Sequence, residues 1–450
     1  MSSEAETVTK QGSKAEGLVP KLRFPEFRDG GEWVTKPLGE FASLIDERAG
    51  SRQFIPLSIT SGVGLISQEE KFGRTIAGQQ LKNYLVLRKG DFAYNKSATK
   101  LYPQGYAVMY QGDEVACVPS SIFACFSVTD NSVAKSYINY QLSANLHGRW
   151  LSRFTTIGAR ANGSLNVDDN DLLALPVPLP EGPAKFAEQQ KIADFLTSLD
   201  ALITVETDKL AALWHHKKGL MQRLFPRPER VENGVKVPAE TTPRFRFPEF
   251  RNARQWETTP LGDIFDTASG GTPDRKKKEF WDGEIPWITT SLVDGNIVSD
   301  AAEFITVEGL KGSSAKIFPK NTVLIAMYGQ GKTRGKVALL GIEAATNQAC
   351  AAILPKAGID PAYVFVNLCA RYEEIRSLSN SGGQDNLSQE LVGSLPFPFP
   401  HDKNEQRKVA ECLLSFDTLI TAQDGKIEAL KAHKSGLMRQ LFPLPAEAVA

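Results

Sequence analysis

One glycine-rich basic segment has a spacing that could bind phosphate. Residues 326–333 read Ala-Met-Tyr-Gly-Gln-Gly-Lys-Thr, which nearly fits the nucleotide-binding pattern G-x-x-x-x-G-K-[ST]. The pattern requires glycine at its first position so that the backbone can wrap phosphate, and Ala326 stands there. No acidic strand for magnesium is evident further along the sequence. We therefore predict no ATP binding; the basic loop suits the phosphate oxygens of nucleic acid better.

Other residue types that support catalysis are scattered. The dinucleotide pattern G-x-G-x-x-G and the Asn-Pro-Pro-aromatic run of amino-methyltransferases are both absent. The acidic group Asp168, Asp169 and Asp171 is more typical of a helix start than of a nuclease metal site. No metal-ligand spacing joins the five histidines, and no Cys-x-x-Cys pair occurs among the five cysteines. We predict a non-catalytic chain without a metal or cofactor of its own, with reduced thiols in the cytoplasm.

Length and composition indicate a soluble protein of two or three domains. The 450 residues are 42% hydrophobic and 23% charged, and no run of eighteen apolar residues could cross a membrane. The polar residues 1–17 lack the apolar stretch of a secretory signal and predict a disordered tail. The net charge of zero is unusual for a nucleic-acid binder. Positive charge is nevertheless clustered around Arg149 and Arg153, at 275–278 and at 332–336.

The chain is two copies of one design. The motif Arg-Phe-Pro-Glu-Phe-Arg occurs twice, and the same order of motifs follows each occurrence. The matching segments are 23–28 with 246–251, 37–40 with 260–263, 175–180 with 395–400, 188–193 with 405–410, and 220–226 with 437–443. The stretches between, roughly 43–170 and 266–388, barely align. A shared scaffold with two divergent inserts suits a protein that performs one operation on two different targets.

The last part of each copy predicts a long amphipathic helix. Apolar residues recur at spacings of three and four, no proline interrupts either segment, and Pro226 and Pro443 follow. Neither helix can bury its stripe alone, so we expect the two to pair as an antiparallel coiled coil. Glu206 and Gln423 fall on the seven-residue step; they either fix the register on the seam or face water. We predict that a subunit interface on these helices is formed by Leu199, Leu202, Glu206, Leu213, Phe416, Leu419, Gln423 and Leu430.

The globular parts predict mixed α/β or α+β domains. Residues 85–94 and 317–326 each predict a turn that enters a buried strand, and residues 136–153 and 362–377 predict helices. The proline-alternating segments predict edge strands or linkers. The predicted organisation is a tail (1–17), a first domain (18–183), a helix (184–226), a linker (227–243), a second domain (244–401), a helix (402–443) and a tail (444–450).

These motifs resemble the specificity subunits of type I restriction–modification enzymes over essentially the whole chain after Gly17. The resemblance rests on the order of the Pro-Leu-Gly-Glu/Asp starts, the segment 331–338, Thr346-Asn-Gln, the Leu-Pro-x-Pro segments and the Gln-x-Lys-Ile/Val-Ala helix starts. It implies two target-recognition domains with a pseudo-two-fold repeat, each reading half of a split double-stranded DNA site. It also implies that the helices recruit two modification subunits, which bind S-adenosylmethionine and methylate adenine. Separate restriction subunits would use ATP and magnesium.

Base reading requires side chains that can fork onto base edges, such as arginine on guanine and asparagine or glutamine on adenine. The candidates in the first copy are Lys96, Lys100, Tyr102, Gln104, Arg149, Arg153 and Arg160. The candidates in the second copy are Arg275, Lys276, Gln330, Lys332, Arg334, Asn347, Gln348 and Gln384. The first copy departs from the pattern, because residues 118–122 read Val-Pro-Ser-Ser-Ile where the second has Thr346-Asn-Gln. Two other interpretations remain open: a bivalent coiled-coil adaptor and, with less support, a nuclease.

Overall fold

The computed structural model describes residues 18–60, 63–76, 78–100, 102–154, 156–157, 165–232, 235–329, 332–378 and 386–445. The predicted tail at 1–17 lies outside the described residues. The chain divides into two compact units, one formed by Met1–Glu206 with Lys426–Ala450 and the other by Thr207–Gly425. Each unit therefore contains one globular part, the first half of the helix that follows it and the last half of the other long helix.

The described residues of the first globular part form twelve strands and four short α-helices and lead into a long helix. The strands are β1 Trp33–Pro37, β2 Ala42–Leu44, β3 Ile55–Thr60, β4 Gly64–Ser67, β5 Leu85–Leu87, β6 Phe92–Asn95, β7 Tyr106–Met109, β8 Ala116–Val118, β9 Phe123–Val128, β10 Thr156–Ile157, β11 Leu165–Asn166 and β12 Pro176–Pro180. The helices are α1 Gln68–Phe72, α2 Lys135–Ser143, α3 Leu146–Leu151, α4 Asp169–Leu173 and α5 Lys185–Leu224.

The second part has a similar order of elements, with β13, β14 and β18 in addition and no counterpart of β10 and β11 among the described residues. Its strands are β13 Arg230–Glu232, β14 Val235–Val237, β15 Glu257–Pro260, β16 Thr267–Ser269, β17 Trp281–Ile288, β18 Asn296–Val298, β19 Glu303–Ile305, β20 Ile317–Phe318, β21 Val323–Ala326, β22 Val337–Leu340, β23 Ala344–Thr346, β24 Cys350–Ile353 and β25 Pro396–Phe399. Its helices are α6 Leu261–Ile264, α7 Val307–Lys311, α8 Pro361–Ala370, α9 Tyr372–Ser377, α10 Gln389–Gly393 and α11 Lys403–Leu441.

Each unit is built on two small sheets and a terminal strand pair. In the first unit the sheets have the orders β2-β9-β6-β7 and β4-β3-β8-β5, and in the second β16-β24-β21-β22-β18 and β19-β17-β23-β20. Among the described residues, the proline-alternating strands β12 and β25 pair only with β1 and β15 respectively, as edge strands do. The predicted linker contains the hairpin of β13 and β14.

The central strands are buried on both faces. In β6, Phe92 and Tyr94 pack into the core beside the helices, whereas Ala93 packs into the core between the two sheets. This alternation follows from the two-residue period of a strand. Strand β21 repeats it, with Val323 on one side and Leu324 on the other. The predicted buried strands are confirmed, and they explain why these segments are almost entirely apolar.

Each predicted helix at 136–153 and 362–377 is two helices. Asn145 has a left-handed backbone (φ +64°) and separates α2 from α3. Asparagine tolerates this conformation better than most residues, so it can end one helix and start the next. The second pair breaks at Arg371, between α8 and α9. The acidic group at 168–171 is a helix start as predicted, with the Asp168 carboxylate accepting from the Asn170 amide at 2.8 Å.

The two long helices have 40 and 39 residues and pack together in antiparallel fashion within each unit. In the first unit, Lys434 donates to Asp200 and Lys426 donates to Glu206, both at 2.5 Å. The order reverses along the second helix, as antiparallel packing requires. In the second unit the repeat places the equivalent ion pair between Lys217 and Asp417.

The buried seam differs from the predicted stripe at two positions. Leu202 and Leu419 are 40% and 52% exposed, so the prediction that they belong to the stripe buried between the two helices is wrong, whereas their place in a subunit interface stays a prediction. The seam residues along each helix are spaced alternately by four and three positions, and this spacing places Ile203 and Ile420 in the seam. Each predicted leucine is the preceding residue and therefore points about 100° away around the helix. Glu206 and Gln423 are buried, at 8% and 6%, which favours a place on the seam over one in water.

Buried ion pairs connect each repeated opening motif to its long helix. The guanidinium of Arg23 donates to both carboxylate oxygens of Glu188 at 2.7 and 2.8 Å, and Arg246 donates to Glu405 at 2.7 Å twice. These side chains are at most a tenth exposed. Such paired geometry is what makes a buried charge tolerable. The motif therefore fixes the first turn of the helix to the chain that precedes the domain.

The neighbouring glutamines cap α2 and α8, the corresponding helices of the two domains. Gln189 accepts from the Ala134 amide at 2.9 Å, and Gln406 accepts from the Asp360 amide at 2.7 Å. Both amides stand at the N-caps of α2 and α8, where helix geometry leaves backbone donors without partners. The repeated Glu-Gln pair at the helix starts thus joins the scaffold to each domain.

Candidate nucleic-acid interface

The second unit presents three loops at one edge of its larger sheet. Strands β16 and β21 both run antiparallel to β24, and β22 runs antiparallel to β21. The ends of β16 and β21 therefore lie beside the starts of β24 and β22. The described residues of the loops at 270–280, 327–336 and 347–349 meet there, and we call this edge the second loop edge. It contains every described candidate of the second copy: Arg275, Lys276, Lys332, Arg334, Asn347 and Gln348.

Close backbone contacts bring the first and third of these loops together. The Gly271 amide donates to the Thr346 carbonyl at 2.9 Å, and the Thr272 hydroxyl donates to the side-chain oxygen of Gln348. A Cβ added at Gly270 would lie 2.0 Å from the Thr346 carbonyl oxygen, so only glycine fits there. Gln348 is consequently exposed but oriented, with its amide nitrogen unpaired among the described residues.

Arg275 is held on aromatic rings. Its guanidinium carbon lies 3.9 Å from the ring centre of Trp281 and 5.0 Å from that of Trp287. One nitrogen pairs with Glu303 at 2.7 Å, yet the side chain remains 55% exposed. Cation–π contact and the ion pair restrict the side chain, while Nε and Nη1 have no acceptor within the described ranges. Lys276 follows it and is exposed. This geometry suits a guanine edge or a phosphate.

The loop after β21 is tied to α9. The Tyr372 hydroxyl donates to the Lys332 carbonyl at 2.7 Å, and Arg334 donates to the Arg376 carbonyl at 3.1 Å. Lys332 is exposed and Arg334 is half-buried. The strand that follows, β22, returns antiparallel along β21. A nucleotide-binding loop leads from a strand into a helix, so this connection differs from one. Gln330 and Gln384 lie outside the described residues.

The first unit presents the equivalent edge. Strands β2 and β6 end where β9 and β7 begin, which places the described residues of the loops at 45–54, 96–105 and 119–122 together. Of the predicted residues there, Lys96 pairs with Asp169 at 2.6 Å and is mostly buried, whereas Lys100 is exposed. Tyr102 packs on Tyr106 with ring centres 4.4 Å apart. We call this edge the first loop edge.

The other described candidates of the first copy lie in the same loop, on α3 or two residues after it. The Gln104 carbonyl accepts from the Tyr94 hydroxyl at 2.7 Å, and its side chain is half-buried. Arg149 is exposed and lines a groove of about 230 Å³ beside Phe442. The guanidinium of Arg153 lies 5.2 Å from the Trp150 ring centre. Arg160 lies outside the described residues.

A basic cluster that was not predicted from the sequence surrounds Glu47 in the loop after β2, where Arg88 reaches it from the turn between β5 and β6. Arg52 and Arg88 each donate to a different carboxylate oxygen of Glu47 at 2.7 Å, and Arg48 lies beside them. Their hydrogen bonds hold the pKa of Glu47 at about 2. The loop follows β2 as the Arg275 loop follows β16, so its position in the repeat was the available signal. The cluster did not stand out in the sequence, because neighbouring acidic residues leave the segment without a net positive charge.

His147 is a buried residue that contacts the backbone of the first loop edge. Its Nε2 lies 3.3 Å from the Gly105 carbonyl oxygen, and its ring packs edge-on against Tyr94. Burial disfavours the imidazolium and lowers the pKa of His147 to about 4. The neutral ring therefore donates from Nε2 to the loop backbone.

This burial predicts a pH dependence. The unfolded chain protonates His147 below about pH 6.5 and the folded chain only near pH 4. Stability is therefore full above pH 6.5 and falls by roughly 3 kcal/mol as the pH drops to 4. Urea unfolding of His147→Gln should lose this part of the dependence, whereas His433→Gln, an exposed position in the same unit, should retain it. Equal pH dependence in all three proteins would contradict a neutral buried imidazole.

Two further classes of site find no support in the described ranges. No group of three or more His, Cys, Asp or Glu side chains there is placed to hold a metal ion, and no helix there is long and apolar enough to span a membrane. The five cysteines are free thiols, and burial raises the pKa of Cys350 to about 12. Such a thiol is a poor nucleophile at neutral pH.

Comparison with known proteins assigns the family. The model of the type I restriction modification DNA specificity domain matches twice, at residues 31–214 and 253–432, which together are more than half of the chain. The chain belongs to this family. The resemblance found in the sequence is confirmed, and with it DNA target recognition as the family's function. Members are non-catalytic recognition subunits of type I systems.

Two relatives and two solved structures agree with this assignment. The EcoR124I/EcoR124II specificity subunit of Escherichia coli is 27% identical over 66% of this chain and 66% of its own length. The MjaIX specificity subunit of Methanocaldococcus jannaschii is 29% identical over 42% of this chain and 44% of its own length. Each match spans less than two thirds of the relative.

The solved structures show the same fold. The S subunit from M. genitalium has a TM-score of 0.53 at 16% identity, covering 95% of this chain and 99% of that one. A second solved structure comes from a study of complex assembly and conformational transition of the type I R-M system. Its TM-score is 0.56 at 14% identity, and the match covers 91% of this chain and 97% of that one.

Proposed function

We propose that this chain is the DNA-reading subunit of a type I restriction–modification system, with one half-site read by each loop edge. The observation that carries the proposal is the repetition of the edge: corresponding strands present loops at the same place in both units, and the loops differ in their residues. When two domains present different side chains from the same arrangement of strands, each can bind DNA in the same way and recognise a different sequence. The basic and amide side chains at both edges suit phosphates and base edges.

The helices provide the surface for partner subunits in this proposal. Leu202 and Val205 are exposed on α5 in the first unit, and Leu419 and Trp214 are exposed on the helices of the second. Exposed apolar side chains on a helix favour contact with other proteins. We propose that two modification subunits dock there and supply S-adenosylmethionine and the methyl transfer to adenine. Restriction subunits would supply ATP hydrolysis and magnesium-dependent cleavage, which places the assembly in the cytoplasm with the chromosome.

The purified chain alone is expected to bind DNA without changing it. It should transfer no methyl group from S-adenosylmethionine, hydrolyse no ATP and cut no DNA with magnesium. Its affinity should fall steeply with salt, because phosphate contacts release counterions. Radiolabelled methyl transfer and binding isotherms at several salt concentrations measure both. Methyl transfer by the isolated polypeptide would overturn the assignment of catalysis to partners.

Mapping methylated adenine in cells tests the proposal. A host without its own adenine methylation receives the modification gene with or without this chain. With the chain, methylation should appear at one motif made of two specific blocks around a non-specific spacer. Without it, that motif should be unmethylated. Methylation that is independent of this chain, or a motif with one continuous block, would refute the proposed role.

A further inference from the structure

Backbone hydrogen bonds align the two loop edges residue by residue. At the first edge the Lys96 amide donates to the Ile122 carbonyl at 2.8 Å, and at the second the Met327 amide donates to the Ala349 carbonyl at 2.8 Å. The next contact also repeats: the Leu165 amide donates to the Lys96 carbonyl at 2.8 Å, as Leu387 does to Met327 at 3.0 Å. Ile122 and Ala349 therefore occupy the same place in the frame.

The rest of the loop follows from the same frame. The Phe123 amide donates to the Pro119 carbonyl at 3.1 Å, and Cys350 donates to Asn347 at 3.3 Å. Pro119 thus takes the place of Asn347, and Ser121 the place of Gln348. The first loop has one additional residue, Ser120. The first domain consequently has no asparagine or glutamine side chain at the position where the second presents two.

Ile122 is the apolar side chain that this loop exposes. It is 38% exposed, whereas Phe123, the next residue and the first of β9, is 3% exposed. An isoleucine at the rim of a polar loop costs free energy in water unless a partner covers it. In the major groove each base pair presents hydrogen-bonding groups, and the one apolar group among them is the C5-methyl of thymine.

We propose that Ile122 reads thymine by contacting its C5-methyl group in the half-site of the first domain. This rests on the proposed function, because it requires the first loop edge to face bases. Ser121 beside it can donate to or accept from either base of a pair, so it adds little discrimination. The first domain thus selects a base at this position by apolar contact, where the second domain uses amides.

Deoxyuridine, which is thymidine without the methyl group, provides the test. The specificity chain is assembled with its modification subunits and bound to duplexes that carry the mapped site. Each thymine of the first block is replaced by uracil in turn. One replacement should weaken binding about fourfold, the effect of exposing one methyl group to water. Ile122→Ala should bind the thymine and uracil duplexes equally, and Ile122→Val should keep most of the difference.

Ile76→Ala is the matched control. Ile76 is 55% exposed in the same domain, and it follows α1, which begins where β4 ends, away from the loop edge. This variant should retain the wild-type preference for thymine. The first block is identified as the one that Gln348→Ala leaves unchanged.

Three results would overturn the inference. A first block without thymine, or equal binding of every uracil duplex by the wild type, would contradict the methyl contact while leaving sequence-specific binding intact. A difference that persists in Ile122→Ala would assign the methyl contact to another residue. Absence of any sequence preference in the assembled complex would instead refute the proposed function.

Discussion

Replacing Arg246 with alanine is expected to lower the free energy of unfolding of the second unit by about 3–5 kcal/mol. The substitution leaves Glu405 charged and 1% exposed, with the Trp256 indole at 3.0 Å as its remaining side-chain donor. Taking a carboxylate out of water without a cation is among the largest single destabilising effects. Urea unfolding followed by hydrogen exchange of the α8 amides measures it.

Two variants show whether the effect comes from the charge. Glu405→Gln in the Arg246→Ala background removes the unpaired charge and should restore part of the lost stability. Lys236→Ala breaks an exposed ion pair with Glu229 in the same unit and should cost less than about 1 kcal/mol. A loss of similar size for Arg246→Ala and Lys236→Ala would show that the buried pair contributes no more than a surface pair.

Replacing Gln348 with alanine should change the recognition of one half-site only. The Gln348 amide is held by Thr272 at the second loop edge, where it can fork onto adenine. A good bidentate contact discriminates by about 1–3 kcal/mol, so preference at one base pair should relax by roughly fivefold to more than a hundredfold. Selection of binding sites from a randomised duplex library by the assembled complex measures both blocks at once.

The control for this variant is Gln222→Ala, an exposed glutamine of the second unit on α5 rather than at the loop edge. It should leave both blocks as in the wild type. Relaxation of both blocks by Gln348→Ala, with thermal unfolding unchanged, would be incompatible with one domain reading each half-site.

The internal repeat made most of the fold predictable from the sequence. Strands such as β6 and β21 are short apolar runs after a turn, and the long helices have an apolar period that proline ends. The predictions that failed concern single positions whose structure depends on local backbone and helix geometry. Leu202 and Ile203 are equally apolar neighbours, and only the pitch of the paired helix selects Ile203 for the seam. The left-handed backbone of Asn145, which divides the predicted helix, has no periodic signal.

The loop edges were predictable only in part. Arg275, Asn347 and Gln348 were found because their residue types suit base edges, although the contacts that hold them involve Trp281 and Thr272 from distant parts of the sequence. Arg48, Arg52 and Ile122 were missed. The arginines are interspersed with acids, and an isoleucine predicts a core position until the backbone shows it at a rim.

We propose that the inserted part of each copy alone determines which half-site is read. The most direct test replaces residues 261–395 with residues 38–175, because both segments begin and end at one backbone hydrogen bond of 2.9 Å, between Leu38 and Leu175 or between Leu261 and Leu395. Gln406 would then cap the grafted α2 as Gln189 does in its own unit. In cells with the modification subunit, adenine methylation should map to a site in which both blocks have the sequence of the first half-site. A motif that still contains the second block would contradict the account.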